Sequence, residues 1–104
     1  MMSRLEQLKQ FVDEDPTDPF NTYALALEYQ KTDAVQALRI FESLLLKHPD
    51  YVPSYYHFGK LLQQNGQYEK ALSVFDQGIA ASRTKNDAKA QRELLAAKQE
   101  LMDE

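Results

Sequence analysis

Residues 49–75 read PDYVPSYYHFGKLLQQNGQYEKALSVF, and residues 16–41 read PTDPFNTYALALEYQKTDAVQALRIF. Each stretch opens on a proline, Pro16 or Pro49, and ten residues later places a small residue inside an apolar run. That residue is Ala26 after Tyr23-Ala24-Leu25, and Gly59 after Tyr56-His57-Phe58. Each stretch then carries alanine, leucine, two spacers and phenylalanine: Ala37-Leu38 with Phe41, and Ala71-Leu72 with Phe75. The first match is offset by 33 residues and the second by 34. Self-similarity at this period marks stacked supersecondary units, each too small to bury its own apolar face. The architecture follows from the repeat before any single residue is given a role.

Working outward, the chain reads as six helices. The first runs from about Arg4 to Val12, with Leu5, Leu8, Phe11 and Val12 at helical spacing and Ser3 with Glu6 as a capping box. Pro16 ends it, because the residue before a proline is pushed away from helical angles. Asp18-Pro19 opens the second helix, a capping side chain followed by a residue already set for the first turn. Thr32-Asp33 separates it from the third, whose buried face is expected to be Val35, Leu38, Phe41, Leu44 and Leu45. Pro53 opens the fourth, carrying Tyr55, Phe58, Gly59, Leu61 and Leu62, and Asn65-Gly66 stops it. The fifth runs from about Tyr68 to Ser82, with Ala71, Leu72, Phe75, Gly78 and Ile79 inside. A polar loop over 83–86 leads to a sixth helix from about Asp87, with Leu94, Leu95, Leu101 and Met102 as its apolar side. Short turns force sequential helices to lie side by side and antiparallel. The fold class is therefore all-α.

Composition narrows the function. The 104 residues include 12 basic and 16 acidic side chains, for a net charge of −4. A weakly acidic chain lacks the basic footprint of a nucleic-acid binder. Five basic residues (Arg83, Lys85, Lys89, Arg92, Lys98) outweigh Asp87 and Glu93 over 83–98, whereas residues 1–31 carry an acidic excess. These read as solvated faces, with head-to-tail contact between molecules as the sharper alternative. The absence of cysteine removes disulfides, thiol catalysis and thiolate metal sites. The first twenty residues carry Arg4, Glu6 and Lys9 without an apolar core of secretory type, and no apolar stretch has the length of a membrane span. The expectation is a soluble cytoplasmic protein that engages no membrane.

No catalytic constellation is visible. His48 and His57 are the only histidines, and neither has a partner at ligand spacing. Asp13-Glu14-Asp15-Asp18 lacks the spacing and central glycine of a calcium loop, and reads as the stop of one helix and the cap of the next. Glycines at 59, 66 and 78 cannot build a phosphate loop. No enzyme activity, cofactor or metal is expected.

The pattern Tyr55, Phe58-Gly59, Leu62, Ala71 and Phe75 resembles the tetratricopeptide repeat, a two-helix unit of about 34 residues. Thr22, Leu25-Ala26, Tyr29, Ala37, Phe41 and Pro49 repeat it, with one residue missing at Thr32-Asp33, while Arg83 stands in place of the second closing proline. Leu8, Phe11 and Pro16 echo Phe41, Leu44 and Pro49, so the first helix adds a half-unit. The resemblance implies a right-handed α-solenoid of antiparallel helix pairs. It divides the chain into a half-unit helix over 3–14, repeats over 19–51 and 52–85, and a capping helix over 87–102. Small residues at Ala26, Gly59, Ala37 and Ala71 would let paired helices approach, and Phe41 and Phe75 would fill the space between neighbouring units.

The resemblance also implies a function: a protein-protein interaction module that binds a peptide or protein segment on its concave face. The ridge there would be Tyr23, Leu27, Gln30 and Lys31 in one repeat, with Tyr56, Lys60, Gln63 and Gln64 in the next. Tyrosine suits such a surface, having a broad apolar face and a polar tip. The family's carboxylate clamp uses Lys, Asn and Arg side chains on this ridge. Tyr23, Leu27 and His57 stand in the matching places, which leaves only Lys60 to pair with an anion. The alternative function is self-association into a homo-oligomer that covers Leu27, Leu95 or Met102.

Overall fold

The computed structural model describes all 104 residues, Met1 to Glu104. It contains six helices and no strand: α1 Arg4–Glu14, α2 Pro19–Gln30, α3 Ala34–Lys47, α4 Pro53–Gln64, α5 Tyr68–Thr84 and α6 Ala88–Met102. Helices α1–α3 form one compact unit, residues 1–48, and α4–α6 form a second, residues 49–104. The chain is an all-α helical-repeat protein.

Local chemistry sets the helix ends. Ser3 and Glu6 close a reciprocal capping box on α1, with Glu6 N–H donating to Ser3 Oγ at 3.1 Å and Ser3 N–H to Glu6 Oε1 at 3.3 Å. Asp18 accepts the Phe20 amide at 2.9 Å, Asp33 the Gln36 amide at 3.2 Å and Asp87 the Ala90 amide at 3.0 Å. Helix α4 ends with Gly66 at φ 80°, where the Gln67 N–H reaches Leu62 O and the Gly66 N–H reaches Gln63 O. Helix α5 ends the same way on Asn86 at φ 57°, with Asp87 N–H on Ser82 O and Asn86 N–H on Arg83 O. Asparagine is the non-glycine residue best suited to that left-handed position. Helix α2 instead ends with the Asp33 N–H on Tyr29 O and no left-handed residue. This is a local difference at the turn where the first repeat is one residue short.

In the first unit α2 packs against both α1 and α3. Leu8, Leu25, Ala26, Ala37, Phe41 and Leu44 are buried. The Lys9 ammonium lies 5.6 Å from the centre of the Tyr29 ring, which joins α1 to α2 at the surface. In the second unit α5 packs against α4 and α6, and α4 also meets α6. Two glycines make this three-helix arrangement close. A Cβ built on Gly59 would lie 2.6 and 2.8 Å from Phe75 Cδ1 and Cζ, and closer still to Cε1. A Cβ on Gly78 would lie 2.5 Å from Tyr55 Cβ and 3.1 Å from Leu94 Cδ1. Phe75 therefore lies over Gly59 of its own repeat, where the sequence reading placed it between repeats. The Tyr55 ring is buried, and its hydroxyl donates to Pro49 O at 2.6 Å. Burial, with Asp50 adding to it, raises the Tyr55 pKa above the usual phenol value.

Four expectations about the apolar faces are corrected. Val35 is 58% exposed, Phe11 43%, Leu95 41% and Met102 59%. Successive residues turn by about 100° in a helix. Val35 thus points well away from the buried line Ala37, Phe41 and Leu44, and Leu95 and Met102 lie about a quarter-turn from Leu94 and Leu101. Phe11 sits at the rim of the stripe made by Leu5, Leu8 and Val12. The loop expected over 83–86 is also shorter, since Arg83 and Thr84 belong to α5. Ser82 and Thr84 hydroxyls donate back to the carbonyls of Ile79 and Ala80, continuing the helix pattern.

Candidate functional site

The sequence reading placed the partner-binding ridge on α2 and α4, so the side chains of these two helices are described first. On α2, Tyr23, Leu27 and Gln30 are all half-buried. Tyr23 makes a tilted ring contact with exposed Phe20, centroids 6.5 Å apart. Lys31 follows the helix and pairs with Glu28 at 3.0 Å.

On α4, Tyr56, Lys60 and Gln63 are half-buried and Gln64 is exposed. The second-unit residues do not face open water alone. Gln63 Nε2 donates to Glu104 Oε1 at 2.8 Å, and Lys60 Nζ lies 3.9 Å from Glu100 Oε2. Gln63 Oε1 is buried without a hydrogen-bond partner. The C-terminal helix thus shares the face that the sequence reading assigned to α4 alone. Between them the two helices form a groove of about 440 Å³, lined by Tyr56 of α4 and by Glu93, Ala96, Ala97 and Glu100 of α6.

The α6 lining was missed by sequence reasoning. A signal existed: Glu93, Ala97 and Glu100 recur at i, i+4 and i+7, which places them on one helical face. Reading α6 as a cap with one wet side obscured that stripe.

His57 makes an edge-on ring contact with Tyr56, centroids 5.6 Å apart, and burial lowers its pKa below the usual imidazole value. Burial thus disfavours the charged ring. Of the acidic loop, Asp18 caps α2, Asp15 accepts the Thr17 hydroxyl at 2.8 Å and Glu14 accepts the Gln10 amide at 2.9 Å. No group of three or more His, Cys, Asp or Glu side chains converges on a point that could hold a metal ion. No helix is long and apolar enough to cross a membrane.

Antiparallel helix pairs at a 33–34-residue period, with small residues where the paired helices meet, define a helical-repeat protein. Residues 28–98 match the tetratricopeptide repeat family, and the chain belongs to it. It is 43% identical to a tetratricopeptide repeat domain protein from Salinibacter ruber solved in solution by NMR, over 84% of this chain and 89% of that one, with a TM-score of 0.80. A crystal structure of a tetratricopeptide repeat domain protein from the same organism is 41% identical over 83% of this chain and 97% of that one, with a TM-score of 0.79. A protein from Bordetella parapertussis shares the fold at a TM-score of 0.83 and 22% identity, over 99% of this chain and 90% of that one. No match was found among the curated proteins. The family supports a protein-interaction module in general, with protein partners.

Proposed function

We propose that this chain is a non-catalytic interaction module that binds a peptide or protein segment along the concave face characteristic of its family. The binding side chains are Tyr23, Leu27 and Gln30 on α2, and Tyr56, Lys60 and Gln63 with the facing residues of α6. One observation carries this reading. Tyr23 and Tyr56 occupy matching places in the two repeats, and each ring is half-buried rather than enclosed. A tyrosine held this way presents a rigid apolar face at low entropic cost to a partner.

The test is a double variant, Tyr23→Ala with Tyr56→Ala. Capture of partner proteins from a cell lysate, identified by mass spectrometry, is expected to be lost while helicity by circular dichroism is retained. Undiminished capture by the folded double variant rejects the assigned surface.

A second reading, self-association, is favoured by one feature of the second unit. Exposed Tyr68 and Met102 line an apolar groove of about 480 Å³ with Leu72 and Leu101. Exposed apolar surface of this kind is often covered by another chain. This reading expects the mass from light scattering to rise with protein concentration; a constant monomer mass rules it out.

A further inference from the structure

We infer that the groove between α4 and α6 accepts a basic side chain, arginine or lysine, of the bound segment; this rests on the reading above and names the chemistry the partner must carry. Ala96 and Ala97 of α6 line the groove with short side chains. Its walls are the Tyr56 ring on one side and the carboxylates of Glu93 and Glu100 on the other. A flat cation or an ammonium group is drawn to an aromatic face and to carboxylates together, and these walls offer both.

The carboxylates lining the groove are only loosely compensated. Helix α6 brings Glu93 and Glu100 to this face, while α4 brings Lys60 as its cation. Lys60 stands at 3.9 Å from Glu100, a loose pairing, and Glu100 is largely exposed, so the carboxylate keeps room for a second donor. The other nearby cation of α6, Lys98, is committed to Asp76 at 2.8 Å. Arg92 and Lys89 lie on α6 but do not line the groove. Burial disfavours the charged form of His57 beside Tyr56. A partner segment with an acidic or C-terminal carboxylate at this point meets like charge, and an apolar one leaves the carboxylates unanswered. A basic side chain satisfies both walls.

The helix contacts fix where along the groove this happens. Lys60 faces Glu100, and Gln63, one turn further along α4, reaches Glu104 just past the end of α6. Tyr56, one turn before Lys60, therefore falls level with the Glu93–Ala97 turn. The ring and the Glu93 carboxylate bracket one position of a bound chain, so the preference should concern a single residue of the partner.

The test uses the full chain labelled with 15N and three peptide probes, acetyl-Ala-Leu-X-Leu-Ala-amide with X arginine, leucine or glutamate. The arginine probe is expected to shift the amide signals of Tyr56, Glu93, Ala97 and Glu100 with a Kd at least about tenfold lower than the other two, the advantage shrinking in 0.5 M salt. Glu93→Gln with Glu100→Gln, exposed positions whose change leaves the spectrum of a folded protein, should erase the arginine advantage. Equal binding of the three probes, or an arginine preference that survives the double glutamine variant, overturns the inference. Lysate capture separates the two levels of argument. If the tyrosine variant loses capture while the glutamine variant captures fully and shows no altered probe preference, the binding face stands and the basic selectivity does not. If the tyrosine variant captures like the parent protein, the face itself is wrong.

Discussion

Replacing Phe75 by alanine is expected to remove about 3–5 kcal/mol of stability, the usual cost of emptying a buried aromatic site. Phe75 is fully buried, and its ring lies against the backbone of Gly59. Gly59 has no side chain with which to collapse into the space left behind. The cavity term should therefore stay close to its full value. A small domain has about 5–15 kcal/mol in total, so this one change threatens the folded state itself. At roughly 4–8 °C per kcal/mol for a chain of this size, the melting temperature should fall by at least about 12 °C. Phe20→Ala is the control. Phe20 is 59% exposed, and truncating it should alter stability by no more than about 0.5 kcal/mol. Thermal melts followed at 222 nm compare the two variants directly. Similar shifts for both would mean that burial of Phe75 is not what holds α4 to α5.

That contrast between two phenylalanines also shows what the sequence could convey. The period, the capping residues and the prolines made the six helices legible because each is a short-range signal: a side chain satisfying an amide three residues away, or a ring that forbids a helical neighbour. Small residues within apolar runs correctly marked Gly59 as a point of close approach. Gly78, in contact range of Tyr55 and Leu94, escaped notice as a second one because its partners come from two different helices. The misplaced apolar residues share one cause. On α6 one member of each adjacent pair is inside, Leu94 of Leu94-Leu95 and Leu101 of Leu101-Met102, and the choice depends on how α6 is rotated against α4 and α5. Local sequence does not fix that rotation. The line of Tyr56, Lys60 and Gln63 on one side of α4 was legible, yet the Glu93 and Glu100 carboxylates beside it were not, because the pairing of Lys60 with Glu100 spans forty residues. Charge that looked like a solvated capping helix became one wall of a groove.

Gly59→Leu should destabilise the second unit by about 1–3 kcal/mol, and the sign is a real question because glycine is itself unfavourable in a helix. Replacing an interior glycine with a better helix former contributes about 0.8–1 kcal/mol when nothing else changes. Here something else must change, since even a first carbon at this position would sit 2.6 Å from Phe75 Cδ1 and 2.8 Å from Cζ. The ring cannot swing away freely, being itself fully buried. Steric cost therefore exceeds the propensity gain for leucine, and the two come closer to balance for alanine. A second background separates the terms. Phe75→Leu removes the ring carbons Cε1 and Cζ, two of the three atoms that a Cβ at Gly59 would strike. In that background Gly59→Ala should become neutral or stabilising, while in the parent chain it lowers stability. The resulting coupling energy, about 0.5–3 kcal/mol from a double-mutant cycle in urea, isolates the contact from helix propensity, because propensity acts equally in both backgrounds. A cycle that closes to zero would show that α4 and α5 do not meet at this glycine, and the close packing that orients Tyr56 and Lys60 on α4 would need another origin.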